Sequence, residues 1–319
     1  MIAVGSASLS APEGEDVTGT FAEVYKPKRR IPFGAIFGTL WIGTIVVLTI
    51  LATYFPSAVP FIRDYDTRVK VNGRTQSYGL GPGWTAWWGL EKSSYDVFAR
   101  CIYGAKVTLT ISIGATLIGL IVGGLLGIIA GYFRGWPDRI ISVITDSLLA
   151  LPFLVLAIVL VYRMDDLQSR YSALSWLTRV WSLTLALGLV VIAPIARLVR
   201  AQALTLRERE FVLASRSLGA SRSRIMIREI MPNVIPAMLT IAFTLLALLI
   251  AAEAGLAFLG LSVERPATWG KMIFTGTNDL EKAWWATMFP CMMVIVTVIS
   301  FNLIGDEMAR HFDIREAAV

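Results

Sequence analysis

Six stretches of this chain are apolar enough, and long enough, to cross a lipid bilayer. The hydrocarbon core of a bilayer takes about 20 predominantly apolar residues as a helix. The runs fall at 33–55, 107–133, 140–162, 181–199, 234–261 and 287–304. Lipid offers no partner to exposed backbone groups, so such runs must satisfy their own hydrogen bonds as helices. Composition agrees: of 319 residues, 55% are hydrophobic and 16% charged, against roughly 25% charged in a soluble domain. The expected fold is all-α, a polytopic membrane protein with about six transmembrane helices.

Several function classes drop out. Cys101 and Cys291 are too few for a disulfide framework or a structural zinc site, and a single histidine, His311, removes multi-histidine metal motifs. No G-x-x-x-x-G-K-[ST] loop is present to cradle phosphates, and neither H-E-x-x-H nor G-x-S-x-G occurs. The net charge of +6 suits basic loops against anionic lipid head groups. With no soluble domain left to carry it, nucleic-acid binding is not expected.

Residues 1–30 are polar and rich in small residues, and end in Lys26, Lys28, Arg29 and Arg30. That basic flank beside the first run predicts a cytoplasmic N-terminal tail. Residues 31–55 then form the first span, 56–106 an external loop, 107–306 a core of five spans, and 307–319 a cytoplasmic C-terminal tail. Trp84, Trp87 and Trp88 in the loop are expected at the membrane–water boundary.

Within the second run Ala115, Gly119, Gly123, Gly127 and Gly131 recur every fourth residue. Between helices in lipid, small residues permit close backbone approach, so the pattern predicts a tightly packed face. A ridge that slides between states fits the same spacing. Glu253, inside "AAEAGLAFLGL", is the clearest acid in an apolar run. An intramembrane carboxyl is either a functional polar site or a structural hydrogen-bond partner.

The interruption between the fourth and fifth runs is the most patterned segment. "FVLASRSLGASRSRIMIREIMPNVIP" sits there, with Arg207, Arg209, Arg216, Arg222, Arg224 and Arg228 in and just before it. Leu204, Phe211, Ala214, Ser215 and Leu218 recur at helical intervals, so one face of a short helix is apolar or small. Gly219 can end that helix in a left-handed turn, and Ser221 can cap the next. Pro232 removes a backbone donor and predicts a bend toward the membrane. The result is a helix–glycine–helix elbow over 204–232. By physics alone it is either an amphipathic surface anchor or a rigid element that docks on a soluble partner.

The same residues resemble the cytoplasmic motif of ABC-importer permeases, E-A-A-x3-G-x9-I-x-L-P. Ala214, Gly219 and Pro232 match, whereas Leu213, Ser215, Glu229 and Met231 stand in for Glu, Ala, Ile and Leu. "EFVLASRSLGASRSRIMIREIMPN", "DVFARCIYGAKVTLTISI", "EAGLAFLGLSV" and "FNLIGDEM" are similar to the C-type permeases of dipeptide and oligopeptide importers, in the same order over about 90–315. One departure is "GLEKSSYD" at 89–96, where the subgroup shows something near G-T-D-x-x-G-R-D; the segment 163–180 is also longer than usual.

The resemblance implies a bacterial inner-membrane permease that carries peptides or peptide-like solutes. It implies a coupling helix on which an ATPase docks through Glu210, Phe211, Ala214, Ser215, Leu218, Gly219 and Ala220, with Pro232 leading back into the fifth span. It implies a homologous second permease, two ATP-binding subunits and an external substrate-binding protein, all in contact with membrane lipid or one another. ATP and Mg would bind in the partner ATPases, with no cofactor in this chain. A stand-alone carrier or channel with a surface-anchoring loop is the alternative, and a membrane-embedded enzyme is disfavoured by the missing side-chain clusters.

Overall fold

The structure is a computed structural model that describes residues 32–71, 74–75, 80–174 and 176–316; the expected tail at 1–30 lies outside them. The described residues are mostly helical, with a minimal hairpin, Lys70–Val71 with Arg74–Thr75, in the non-helical connection between the first two long helices. Among the described residues, five helices are long and apolar enough to cross a membrane, or six if one bent pair forms a span.

Helix α1 covers Phe33–Tyr54. Helix α2, Val97–Ile118, runs through a π-helical turn at Gly119–Gly123 into α3, Gly124–Phe133. The second span therefore begins ten residues before the apolar run, and 97–106 are helix rather than loop. Asp96 is the cause: its carboxylate accepts from the backbone N–H of Phe98 and Ala99 at 2.9 and 3.3 Å, satisfying donors that a bare helix start leaves orphaned.

The third run is not one straight helix. Helices α4, Trp136–Leu149, and α5, Phe153–Arg170, meet at 99°. Pro152 has no N–H to give and pushes Leu151 out of helical geometry, so the apolar run breaks without losing its apolarity. Helix α6, Arg179–Leu206, lies at the centre, and α9, Met231–Phe258, packs on both α6 and α12, Trp285–Glu316. The last helix continues through 307–316, which replaces most of the expected C-terminal tail.

The glycines of α2–α3 lie directly on α6. A methyl group at Gly123, Gly127 or Gly131 would come within 2.6–2.7 Å of the carbonyl oxygens of Ile192, Ala196 and Arg200 respectively. Four-residue steps on both helices keep this contact in register. Of the two readings of the ridge, the geometry is that of a closely packed face.

Helices α3 and α6 end, and α9 begins, at one end of the bundle, which carries the interruption described above. At the other end lie the starts of α2 and α6, the described residues between α1 and α2, helix α10, Trp269–Thr277, and the short α11, Leu280–Ala283. There Trp269, fully buried, donates from Nε1 to the Cys101 carbonyl at 2.8 Å. Trp285 Nε1 likewise donates to Leu90 O at 2.9 Å. Trp84 is fully exposed, as a boundary aromatic requires, but Trp88 stacks on Phe289 with ring centroids 4.7 Å apart and belongs to the core.

Candidate functional site

Between α6 and α9 the chain forms helix α7, Glu210–Ser217, then a turn, then α8, Arg222–Ile225. The turn is a full Schellman arrangement. Gly219 has φ +79°, its N–H bonds to Arg216 O at 3.0 Å, and the N–H of Ala220 bonds to Ser215 O at 3.1 Å. Ser221 caps α8 by accepting from Arg224 N at 3.4 Å.

The second half of the elbow differs from expectation. Helix α8 is no separate helix: it passes through a π-helical turn, Met226–Ile230, straight into α9, giving one continuous run over Arg222–Phe258. The helix runs on without a break through Pro232, just after a turn in which it has widened. The Met231 N–H reaches back to Met226 O, and Asn233 Nδ2 donates to Glu229 O at 2.5 Å. Residues 204–206 likewise belong to α6, so the part that stands apart from the membrane helices is 207–221.

An eight-residue helix is not stable alone, and α7 is held from beneath by Val212. That side chain is fully buried, in one cluster with Ile225, Ile230 and Val234. Sequence periodicity passed over it, because Phe211 beside it took the apolar face; its signal was a second apolar residue about 100° round the same helix. The face picked out by periodicity points outward instead. Phe211 is 39% and Leu218 88% exposed, and Glu210, Ala214 and Gly219 are exposed as well. Ser215 and Ala220 are half-buried, and Pro232 is exposed at the start of α9. Seven of these residues therefore share the α7 surface and its turn, while Pro232 stands apart from them in the helix that follows.

Two departures from the permease motif meet each other. Ser215, in place of alanine, donates from Oγ to Oε1 of Glu229, in place of isoleucine, at 3.4 Å. Neither residue signals the other across 14 positions of sequence. Two further contacts fasten the elbow's base: Arg207 Nη1 donates to Tyr132 O at 2.9 Å, and Arg134 pairs with Glu208 at 2.8 Å; beside it, Arg200 of α6 holds Asp138 of α4 through two hydrogen bonds. The exposed Arg134–Glu208 pair contributes little by itself. The two-pronged Arg200–Asp138 contact fixes orientation, since the guanidinium fork matches a carboxylate.

Glu253 lies far from the elbow, near the other end of α9, and is fully buried. Ser262 Oγ donates to its Oε1 at 3.0 Å, and the hydroxyls of Ser262 and Thr268 are 2.8 Å apart. Thr268 also caps α10 by accepting from Lys271 N at 3.1 Å. Through Oε1 the carboxyl is tied to the turn between α9 and α10, while its Oε2 is buried with no hydrogen-bond partner among the described residues. Glu253→Gln, which keeps the bonded oxygen, should leave transport close to wild type. Glu253→Ala should destabilise the purified protein by about 1–3 kcal/mol, read as a lower thermal midpoint; loss of transport in the Gln variant with an unchanged midpoint would point to a required charge.

No grouping of three or more His, Cys, Asp or Glu among the described residues could hold a metal ion. The elbow presents an exposed apolar face on a short helix whose base is held against the membrane helices.

Comparison with known proteins agrees with this architecture. Residues 123–317 match the family model described as "Binding-protein-dependent transport system inner membrane component". The dipeptide transport system permease protein DppC of Alkalihalophilus pseudofirmus is 31% identical over 95% of this chain and 94% of its own length. The glutathione transport system permease protein GsiD of Pectobacterium atrosepticum is 32% identical over 73% and 74%. A solved structure of the MetNI methionine ABC transporter in an inward-facing conformation shares the fold, with a TM-score of 0.54 at 18% identity, over 66% of this chain and 95% of that one. The chain therefore belongs to the family of binding-protein-dependent transport system inner membrane components, as a multi-pass permease subunit of an ATP-driven importer and not itself an enzyme.

Proposed function

We propose that this permease imports peptides or peptide-like solutes, and that its elbow is the docking point for an ATPase. The observation that carries the docking is the α7 surface: Phe211, Ala214 and Leu218 face outward together while Val212 anchors the helix from within. An apolar face on a charged, arginine-flanked loop has no use in water and fits a cleft on a soluble partner. The solute class follows the relatives, a dipeptide and a glutathione transport system permease.

In this reading the elbow and both termini lie in the cytoplasm, and the loop 56–96 lies outside. The membrane is the bacterial inner membrane. A homologous second permease completes the path, two ATP-binding subunits hold the elbows, ATP and Mg bind in those subunits, and an external binding protein delivers the solute. Closure of the ATPases pushes on α7. The push passes through Val212 and the Schellman turn into α9, and through Arg207, Glu208 and Arg200 into α3, α4 and α6.

Gly219 tests the route. Its φ of +79° is left-handed, and nothing lies within 4 Å of where a side chain would start. A leucine there meets no clash but opposes the turn by about 1–2 kcal/mol, roughly a five- to thirtyfold bias against the docked geometry. In the complete importer, Gly219→Leu should lower solute moved per ATP hydrolysed, or lose the ATPase on purification. Wild-type coupling and wild-type ATPase content in that variant would refute the assigned route.

A further inference from the structure

The span that breaks at Pro152 carries a charge that a lipid-facing helix does not tolerate. Asp146 is the one charged residue between Arg139 and Arg163. Leu151 stands midway, twelve residues from each arginine, so the break falls at bilayer depth. Asp146 lies in the last turn of α4 and is exposed, and its carboxylate forms no hydrogen bond or ion pair with a described residue. Arg200 is within its electrostatic reach but holds Asp138 through two hydrogen bonds. A carboxylate facing hydrocarbon costs about 2.5–3.5 kcal/mol on insertion scales.

The backbone at the break suits lipid no better. Residues 149–152 are all exposed where α4 and α5 meet at 99°. Ala150 N–H closes on Asp146 O at 3.0 Å and Leu151 N–H on Leu148 O at 3.3 Å, while Pro152 has no N–H to give. The other carbonyls in the last turn of α4 are left without a helical partner. Non-helical backbone at membrane depth persists only where protein covers it or water reaches it. Two separate costs, one of charge and one of backbone, turn this corner away from lipid and toward the path.

The polar groups at the corner are acceptors. They are the Asp146 carboxylate, the last carbonyls of α4, and Ser147 Oγ, whose proton goes to Val143 O at 2.7 Å. The C-terminus of a helix adds partial negative charge. An ammonium group matches this set, since it brings three donors and a positive charge. Broken helices elsewhere in membrane transporters hold cations with unwound carbonyls and helix C-termini in the same manner.

We propose that Asp146 and the C-terminus of α4 form a binding site for the ammonium group of the solute, midway along the path. The site rests on the peptide reading above, because a peptide supplies that group, and adds to it a solute contact within the permease itself.

The test is equilibrium binding of tritiated trialanine and tritiated N-acetyl-trialanine to the complete importer, permeases with ATPase subunits, in nanodiscs without the binding protein. Acetylation removes the ammonium and leaves the rest of the peptide. Wild type should bind trialanine saturably and about tenfold more tightly than its acetylated form. Asp146→Asn should erase that preference by weakening trialanine alone, and Asp146→Glu, which keeps the charge, should retain it. Should Asp146→Asn fail to assemble, Asp146→Ser reads the same comparison. If neither assembles, the carboxylate pairs with another chain and the site is overturned. No saturable binding to an importer that does take up trialanine overturns the site alone. So does a preference that the neutral variant leaves intact, or equal weakening of both peptides. An importer that takes up no peptide with its binding protein present overturns the peptide reading, and the site with it.

Discussion

Gly127→Leu is expected to yield no folded permease, whereas Gly43→Leu yields a normal one. Both glycines sit inside membrane helices, so a generic aversion to bulk would treat them alike. The structure does not. A first side-chain atom at Gly127 would lie 2.6 Å from Ala196 O, 2.7 Å from Val199 Cβ and 2.8 Å from Val199 Cγ1, whereas nothing lies within 4 Å at Gly43. Backbone cannot step aside as a flexible side chain can.

Overpacking a closed contact costs about 1–3 kcal/mol even for small additions, which is the range expected for Gly127→Ala. A leucine asks α3 and α6 to part. Gly123 and Gly131 are as close to α6, so parting breaks the ridge along its whole length. Since hydrophobic drive between helices is weak in lipid, lost packing contacts are not recovered elsewhere. Yield of monodisperse protein and thermal midpoint, measured side by side for the three variants, check the order: Gly43→Leu near wild type, Gly127→Ala lowered, Gly127→Leu absent.

Much of the bundle was legible because the bilayer sets a length that sequence either meets or does not. The centre of each span could be placed that way, and its ends could not. Arg100, Tyr103 and Lys106 interrupt the hydropathy of residues 97–106, which hides a helix start that Asp96 makes plain once its capping bonds are seen. The break at Pro152 is the reverse case: the apolar run continues across it, so hydropathy alone joins two helices that meet at 99°.

The elbow was legible for a different reason. Gly219 and Ser221 act locally, through turn and cap geometry, and local chemistry can be read in order along the chain. Long-range partners cannot. Val212 is an anchor only because Ile225 and Ile230 return beneath it. The bond between Ser215 and Glu229 exists only after α7 folds back on the following helix. Pro232 carries a related lesson, since a rule about proline in a regular helix does not hold where a π-helical turn has widened the helix beforehand.

The account stands on the outward face of α7, and Ala214→Glu tests it most directly. Ala214 is exposed, so in the isolated permease a glutamate there meets water and should leave the thermal midpoint unchanged. Docked against an apolar cleft, the same carboxylate would be buried without a partner, at a cost of about 2–5 kcal/mol, or roughly 30- to several-thousandfold in association. The measurement is the amount of ATPase subunit that co-purifies with the variant, alongside ATP-driven uptake by the reconstituted importer. The expected result is a stable permease that has lost its ATPase and at least nine-tenths of its uptake, a loss of the order this penalty implies. A stable variant with a full complement of ATPase and wild-type uptake would contradict the account, because it would mean that the exposed face of the elbow touches nothing.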